Sequence, residues 1–211
     1  VQEEEPFKKL INQGMILGED NQKMSKSRGN VINPDDIVKE YGADTLRLYE
    51  MFMGPLEQVK PWNTSSVGGV YRFLNRTWNL TQEYLEGNEI TLSKDAEAKL
   101  LKIAHKTIKK VTSDIEQFKF NTAISAMMIL TNTMNDHEVI PKDYYEQLIL
   151  LLYPFAPHLS EEIWVTLGHK KSITTELWPV FDEELTVDAE VKIVVQVNGK
   201  VRAPLSVPKG T

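Results

Sequence analysis

The chain has 211 residues, a formal net charge of −6 and no cysteine. Because cysteine is absent, disulfide scaffolds, thiol nucleophiles and zinc sites built on thiolates are excluded. Apolar residues make up 41% and charged residues 26% of the chain, which is typical of a globular protein. No apolar run is long enough to span a bilayer, and the acidic balance argues against coating nucleic acid by bulk charge. We therefore expect a globular, cytoplasmic protein with no membrane partner, in which any nucleic-acid contact comes from a local basic face.

The N-terminal region predicts a helix, a strand and a polar loop. Helical spacing of Phe7, Leu10 and Ile11 predicts a short helix over 6–12, and the apolar run Met15–Leu17 predicts a strand that enters the loop. The chain starts at Val1 without an initiating methionine. We expect it to be a piece of a longer protein.

Two short helices are predicted next. Asn33 is a capping residue, and Pro34 at the first helical position loses no needed N–H, so a helix begins here and Gly42 ends it. Asp44 is the predicted cap of a second helix over 45–53, which stops at Gly54.

Longer amphipathic helices follow, with short connections, and predict a helical bundle. Their predicted first residues or caps are Ser65 or Ser66, Ser93, Asn121, Pro141 and Ser160. Ends are predicted at Gly87–Asn88, Met134, Pro154 and Gly168, and the apolar face of the helix that begins at Ser93 is expected to include Phe118. Residues 169–188 are interpreted as an irregular linker. The apolar run 191–197 before Asn198–Gly199 predicts a hairpin. A strict two-residue turn would mix apolar and polar residues on each face, so a bulge or a longer loop is expected.

Residues 23–30 carry the most informative chemistry. They place three cations and two hydroxyls in a loop just before a capped helix, and lysine suits a polyphosphate whose charge moves during a reaction. A Walker loop is excluded because G-x-x-x-x-G-K-[ST] is absent. An exposed basic surface loop or a localisation patch explains the same charges, and charge alone favours that interpretation.

The order of the residues at 23–31, unlike their charge, favours a functional loop over a basic surface patch. The sequence Lys-Met-Ser-Lys-Ser-Arg-Gly-Asn-Val at 23–31, followed by 33–37 and by Tyr-Gly-Ala-Asp-Thr-Leu-Arg-Leu-Tyr at 41–49, resembles the second signature region of class I aminoacyl-tRNA synthetases. Arg28 stands where many relatives carry another residue. Residues 50–56, Trp62 and 72–78 are similar to leucyl-tRNA synthetases of the bacterial type, as is 195–202. Residues 151–164 are shared across the leucyl, isoleucyl and valyl branch.

The resemblance implies a role for each loop residue. Lys26 is the catalytic residue that stabilises the triphosphate and the departing pyrophosphate, and Lys23 assists. Ser25 and Ser27 help to hold the loop. The ATP-binding loop as a whole is Lys23, Met24, Ser25, Lys26 and Ser27.

The family's activity is implied as well: ATP-dependent activation of leucine, with Mg²⁺ accompanying ATP, and transfer of leucine to tRNA(Leu) by a cytoplasmic monomer. The family's first signature and most of the Rossmann core are missing, and there is no room for an editing domain, so we expect the chain alone not to activate leucine. Two alternatives stay open: an isoleucyl- or valyl-tRNA synthetase, and a non-enzymatic helical RNA-binding module.

The resemblance also implies the fold class and the domain boundaries of the chain. It implies a mainly α protein, with a helical bundle of the class I synthetase anticodon-binding type between an α/β remnant of the catalytic core and a C-terminal β-hairpin. The expected boundaries are 1–32 for the end of the core with its loop, 33–62 for linking helices that contact the tRNA stem, 63–168 for the tRNA-binding bundle, 169–188 for the linker, and 189–211 for the start of a C-terminal domain.

Candidate tRNA contacts come from helix faces. Residues 99–110 hold five lysines and no acid, and four of them form a stripe opposite Leu101, Ile108 and Val111; a solvated helix face explains them equally well. Arg72 and Arg76 lie one turn apart and either contact tRNA or pair with Glu83 or other acids. The candidates are therefore Arg72, Arg76, Lys99, Lys102, Lys106 and Lys109.

The remaining distinctive side chains favour structural roles. Trp78, Trp164 and the Met127–Met128 pair lie in apolar periodic stretches and are predicted to pack in the core. The histidines show no ligand spacing, so no metal site is predicted, and His158 is interpreted as structural. The four are His105, His137, His158 and His169.

Overall fold

Most of the structure is a bundle of five helices of 10 to 23 residues. The computed structural model describes residues 7–86, 93–136, 141–187, 190–197 and 200–208. The bundle helices are α3 (Thr64–Leu85), α4 (Lys94–Glu116), α5 (Phe120–Asp136), α6 (Lys142–Leu152) and α7 (Pro157–Thr166). The mainly α bundle expected from the sequence is confirmed.

Smaller elements flank the bundle. Before it lie β1 (Ile16–Leu17), a 3₁₀ turn at Lys26–Arg28, α1 (Pro34–Tyr41), α2 (Ala43–Phe52) and β2 (Lys60–Pro61); after it lie a 3₁₀ turn at Ile173–Thr175, α8 (Glu183–Thr186), β3 (Glu190–Val197) and β4 (Lys200–Pro208). The strand predicted in 15–17 is confirmed as β1, which pairs in parallel with β2.

The bundle core is continuous from α2 through α7. Helix α6 is the most buried bundle helix for its length, because five of its eleven residues, all hydrophobic, are buried. Removing one such leucine costs about 2–5 kcal/mol, since the space left behind collapses only partly. The largest fully buried side chains are Leu48, Leu80, Leu100, Ile108, Ile124, Met127, Leu130, Met134, Tyr145, Leu148, Ile149 and Leu151.

The C-terminal strands form an antiparallel pair with an irregular register. Val197 lies opposite Lys200, and between Val195 and Gln196 the pairing jumps from Ala203 to Val201, which leaves Arg202 as the extra residue of a bulge. Of the two alternatives left open by the sequence, a bulge or a longer loop, the bulge is present. The Asn198–Gly199 turn itself lies outside the described residues, as do the predicted helix end at Gly87–Asn88, the histidine His137 and the start of the predicted helix at Pro6.

The short helix predicted over 6–12 is wrong in its described part. Residues 7–15 form no regular element, and Phe7 and Leu10 are 83% and 84% exposed. Two turns of helix are too short to be stable without a packed apolar face. The predicted face has no such partner here.

Several predicted helix starts shift by a few residues. Asn63 accepts the N–H of Ser66 and is the cap of α3, so Ser65 and Ser66 lie inside the helix. Asn121 lies in the first turn of α5, because the carbonyl of Lys119 already accepts from 122 and 123. Ser160 likewise donates its N–H to the carbonyl of Ala156, and Ala156 is the cap of α7, four residues before the predicted cap.

Two further expectations are corrected by tertiary contacts. Asp44 is the second residue of α2 rather than its cap; Gly42 holds the cap position with φ +89°. Helix α4 ends at Glu116, and Phe118, expected on its apolar face, has φ +58° and is 38% exposed. Phe118 instead meets Phe120 edge-on, so its ring joins the α4–α5 corner.

Candidate functional site

The loop at 23–30 is folded rather than extended. Ser25 has extended backbone angles, a 3₁₀ turn covers Lys26–Arg28, and Gly29 ends the turn with φ +67°. A side chain is strained at this φ, so glycine is the residue that lets the turn close. Lys23 and Lys26 are exposed, and the guanidinium of Arg28 donates to Gln22. The two lysines predicted to bind phosphate are therefore both accessible to solvent.

One asparagine closes the loop at its base. The Asn30 amide oxygen accepts the N–H of Ser25 at 2.9 Å, while the amide nitrogen donates to both carboxylate oxygens of Asp20 at 3.0 and 3.1 Å. The hydrogen bonds from Asn30, and a further one from the N–H of Gln22, lower the pKa of Asp20. We call Asp20 and Asn30 the loop clamp. The clamp fixes both ends of the turn that carries Lys26.

Met24 anchors the loop to the rest of the fold. It packs against the core and lines a cavity of about 190 Å³, whose other apolar walls are Ile16, Ile32, Pro34, Leu46 and Trp62. Ser25 and Ser27 bring their hydroxyl oxygens within 3.2 Å of each other. The predicted ATP-binding loop thus contains a half-buried apolar anchor, two hydroxyls and two exposed cations.

The loop base is attached to helix α3 of the bundle through Glu19. Its carboxylate accepts the N–H of Thr64, the first residue of α3, at 2.8 Å. That hydrogen bond lowers the pKa of Glu19. Beside it, the N–H of Trp62 donates to the carbonyl of Leu17 at 2.9 Å. The entrance to the loop and the start of the bundle are therefore in direct contact.

The arginines predicted on α3 occupy different environments. Arg72 is exposed, with its guanidinium near Gly68 and Gly69. Arg76 donates to the side-chain amide of Asn132 on α5, a neutral partner rather than an acid. Their contact with tRNA remains a prediction.

The basic stripe is only partly an open surface. Lys99 is exposed, whereas Lys102, Lys106 and Lys109 are half-buried along α4. Lys109 is ion-paired with Glu183 of α8 at 2.6 Å and lies 5.7 Å from the ring centre of Phe181. The linker thus lies against the stripe and covers part of it.

Two buried or linking acids, Asp114 and Glu19, escaped the sequence analysis, and for a third, Asp44, the partner was not predicted. Asp114 is buried in α4, where it accepts from Lys110 and from Thr122 of α5, both at 2.6 Å. Glu19 and Asp44 bind helix N-termini elsewhere in the chain. For Asp114 a signal was available, because it lies on the same helix face as Val111 and therefore toward the core; the partners of the other two are distant in sequence.

The histidines make structural contacts. His158 is hydrogen-bonded to Asp44 at 2.8 Å, His169 to Glu146 at 2.9 Å, and His105 accepts the N–H of Asp182. In the part of the chain that the structure describes, no three or more His, Asp or Glu side chains converge as metal ligands.

The predicted core residues lie where expected. Trp164 is 3% exposed and stacks on His169 with ring centres 3.7 Å apart, and Met127 is fully buried. Trp78 and Met128 pack against the core while partly buried. The helices of the described residues are each too short or too polar to cross a membrane.

Known families match both ends of the chain. The family described as "Anticodon-binding domain of tRNA ligase" matches residues 97–211, and that described as "tRNA synthetases class I (I, L, M and V)" matches residues 1–60. Together they cover the signature loop and, from residue 97 onward, helices α4 to α7 of the bundle.

Curated relatives match along the whole length. The leucine–tRNA ligase of Chlorobaculum parvum is 56% identical over 211 residues, covering 100% of this chain and 26% of that protein. The leucine–tRNA ligase of Leptospira biflexa is 53% identical over 214 residues, covering 97% and 24%. The chain therefore spans about a quarter of the length of these relatives.

Solved structures give the same comparison in three dimensions. A ternary LeuRS–tRNA–LeuAMS complex from Agrobacterium radiobacter is 31% identical with a TM-score of 0.79, covering 100% of this chain and 28% of that one. A Mycobacterium tuberculosis methionyl-tRNA synthetase is 18% identical with a TM-score of 0.57 over 73% and 37%, which shows a shared fold. With residues 97–211 matched by the family description, the chain belongs to the anticodon-binding domain family of tRNA ligases.

Proposed function

We propose that this chain is the part of a leucine–tRNA ligase that carries the ATP loop and the helical bundle that docks tRNA. The observation that supports this best is the 56% identity to a leucine–tRNA ligase over all 211 residues. The isoleucyl, valyl and non-enzymatic alternatives gain no support from these relatives. The whole enzyme joins leucine to ATP as leucyl-adenylate, releasing pyrophosphate, and then transfers leucine to tRNA(Leu), releasing AMP.

Within this function the loop supplies positive charge where negative charge develops. Lys26 holds the triphosphate and the departing pyrophosphate, and Lys23 adds a second exposed cation in the same loop. Mg²⁺ bound with ATP would neutralise part of the charge on its phosphates. Because the turn is fixed by Met24 and by the loop clamp, little ordering of the loop remains to be done when ATP binds.

The bundle contributes tRNA docking. Lys99, Lys102 and Lys106 lie along one face of α4, and Arg72 lies on α3. Phosphate contacts of this kind fix the orientation of an RNA without reading its sequence. The expected domain boundaries at 32, 62, 168 and 188 remain part of this proposal, as do a cytoplasmic location and a monomeric state; the absence of cysteine agrees with a reducing compartment.

Binding of tRNA to the chain tests the docking function. Fluorescently labelled tRNA(Leu) is titrated with the 211-residue chain at two salt concentrations, with double-stranded DNA of similar length as the control polyanion. We expect tRNA(Leu) to bind more tightly than DNA, with an affinity that falls as salt rises because counterions are released from the phosphates. Equal affinity for tRNA and DNA, or no binding at low salt, contradicts the proposal.

A further inference from the structure

The contact between Glu19 and Thr64 joins two functional regions that are far apart in sequence. Thr64 is the first residue of α3, so its N–H is one of the donors with no partner inside the helix. The cap of α3, Asn63, uses its side-chain oxygen on the N–H of Ser66 instead. Glu19, 45 residues earlier, supplies the acceptor at 2.8 Å. Its negative charge also suits the positive end of the helix dipole.

No flexible spacer separates Glu19 from the loop. The preceding residue, Gly18, has its N–H bonded to the carbonyl of Gln22, and the following residue, Asp20, is held by Asn30. Gly18 is tightly enclosed, since a Cβ there would lie 2.7 Å from the Asp20 carboxylate and 2.9 Å from the Asn30 amide. A displacement of Glu19 therefore displaces the clamp.

Helix α3 provides a rigid connection in the other direction. It is 22 residues long, or about 33 Å, and carries Arg72 and Arg76 two to three turns beyond Thr64. Arg76 is tied to Asn132 of α5, so movement of α3 is shared with the rest of the bundle.

We propose that Glu19 is a positioning residue that holds the ATP loop in a fixed place relative to α3 and transmits tRNA docking on the bundle to the loop. The inference rests on the proposed function, in which the loop binds ATP and the bundle docks tRNA. The lowered pKa of Glu19 agrees with this role, because it keeps the carboxylate ionised and able to accept at neutral pH.

Amide hydrogen exchange of the full chain, with and without tRNA(Leu), tests the inference. Four proteins are compared: the wild type, Glu19→Ala, Glu19→Gln, which keeps an acceptor oxygen, and Ser93→Ala. Ser93 caps α4 through the N–H of Ala96, so its replacement removes a helix cap of the same kind that does not touch the loop. Affinity for tRNA is measured in parallel.

We expect tRNA to slow exchange over residues 20–30 in the wild type. In Glu19→Ala this slowing is abolished while tRNA affinity stays within about twofold, and the Thr64 amide exchanges about fivefold faster, the change expected when one hydrogen bond is removed. Glu19→Gln restores most of the slowing, and Ser93→Ala keeps it in full.

Three results overturn the inference. The first is a Glu19→Ala chain that keeps the tRNA-dependent slowing, and the second is a Ser93→Ala chain in which the slowing is equally abolished. The third is a wild type that binds tRNA without any change in the loop. A wild type that does not bind tRNA at all contradicts the docking function itself, and the inference falls with it.

Discussion

Asp44 of α2 caps the first turn of α7, because its Oδ2 atom accepts the N–H of Leu159 at 2.7 Å across 115 residues of sequence. The position that begins α7 is occupied by Ala156, which has no side chain able to do this. The other carboxylate oxygen of Asp44 lies 2.8 Å from Nδ1 of His158. Arg47, one turn later in α2, donates to the carbonyl of Pro154. One face of α2 thus binds the α6–α7 corner through polar contacts.

Replacing Asp44 by alanine tests this capping. The Asp44 residue is 8% exposed in the fold, so removing its carboxylate leaves the Leu159 amide without an acceptor in a mostly buried place. We expect the free energy of unfolding to fall by about 2 kcal/mol, measured by urea denaturation followed by circular dichroism. Asp44→Asn keeps an acceptor oxygen and serves as the matched control, with a smaller decrease. Equal stability of Asp44→Ala and wild type contradicts the capping role.

Two of the cap predictions, Asn33 and Asp44, show what local sequence can and cannot reveal. Asn33 was correctly predicted, because its acceptor and the Asp35 N–H that donates to it are two residues apart. Asp44 has similar chemistry and lies in the first turn of a helix, but its partner is in α7. Only the folded chain brings the two together, so spacing alone pointed to the wrong donor.

The basic stripe on α4 likewise has one feature that local sequence predicts and one that it does not. The spacing of Lys99, Lys102, Lys106 and Lys109 predicted one helix face, and α4 places them so. The pairing of Lys109 with Glu183, 74 residues later, depends on how the linker packs and has no signal in the lysine pattern. The loop at 23–30 could be identified from its sequence. The loop clamp could not, because it depends on the folded chain bringing Asp20 and Asn30 together.

Tyr145 joins α6 to α3 inside the core. Its hydroxyl donates to the carbonyl of Thr77 at 2.7 Å and lies 2.6 Å from the hydroxyl of Thr81. Tyr145→Phe removes these bonds without changing the packing of the ring. We expect the free energy of unfolding at neutral pH to fall by about 1 kcal/mol.

Tyr145 also makes the stability of the fold depend on pH in the alkaline range. Burial raises the pKa of Tyr145 above its ordinary value of 10.0, so the fold favours the neutral hydroxyl. The stability it provides is complete below the unfolded pKa and is lost as the pH rises from there toward the folded pKa. The deficit of Tyr145→Phe should therefore shrink between about pH 8 and about pH 11. A deficit that is constant or grows over this range contradicts the assignment.

Gly18→Ala tests whether the clamp determines the order of the loop. The added methyl group meets the Asp20 carboxylate and the Asn30 amide at distances that force them apart. We expect trypsin to cleave after Lys23, Lys26 and Arg28 several-fold faster than in the wild type, because proteolysis follows the population of opened loop.

A glycine in α3 provides the control. A Cβ at Gly68 has Arg72 as its nearest neighbour at 3.5 Å, an ordinary separation in the first turns of a helix. Gly68→Ala should leave loop cleavage unchanged and add about 0.5–1 kcal/mol to stability, since alanine is the better helix former. Cleavage of Gly18→Ala at the wild-type rate contradicts a clamp that depends on close packing at residue 18.

Charge reversal on α4 tests the tRNA interface. Lys102→Glu combined with Lys106→Glu should weaken binding of tRNA(Leu) and lower the slope of log affinity against log salt by about one for each phosphate that the variant no longer neutralises. The control reverses Lys170 and Lys171, which are exposed after α7 and outside the stripe. The same slope in all three proteins shows that the stripe is a solvated face and does not bind RNA.

We propose that the loop at 23–30 serves the activation of leucine by ATP, with Lys26 stabilising the departing pyrophosphate. The most direct test of this role is leucine-dependent ATP–pyrophosphate exchange by a full-length ligase that carries this chain, with Lys26→Ala compared with Lys171→Ala. We expect Lys26→Ala to lower the exchange rate by about a hundredfold while tRNA binding changes little, because its charge acts mainly in the transition state. Lys171→Ala should match the wild type. Exchange by Lys26→Ala at the wild-type rate, or an equal decrease in exchange and in tRNA binding, contradicts this role of Lys26.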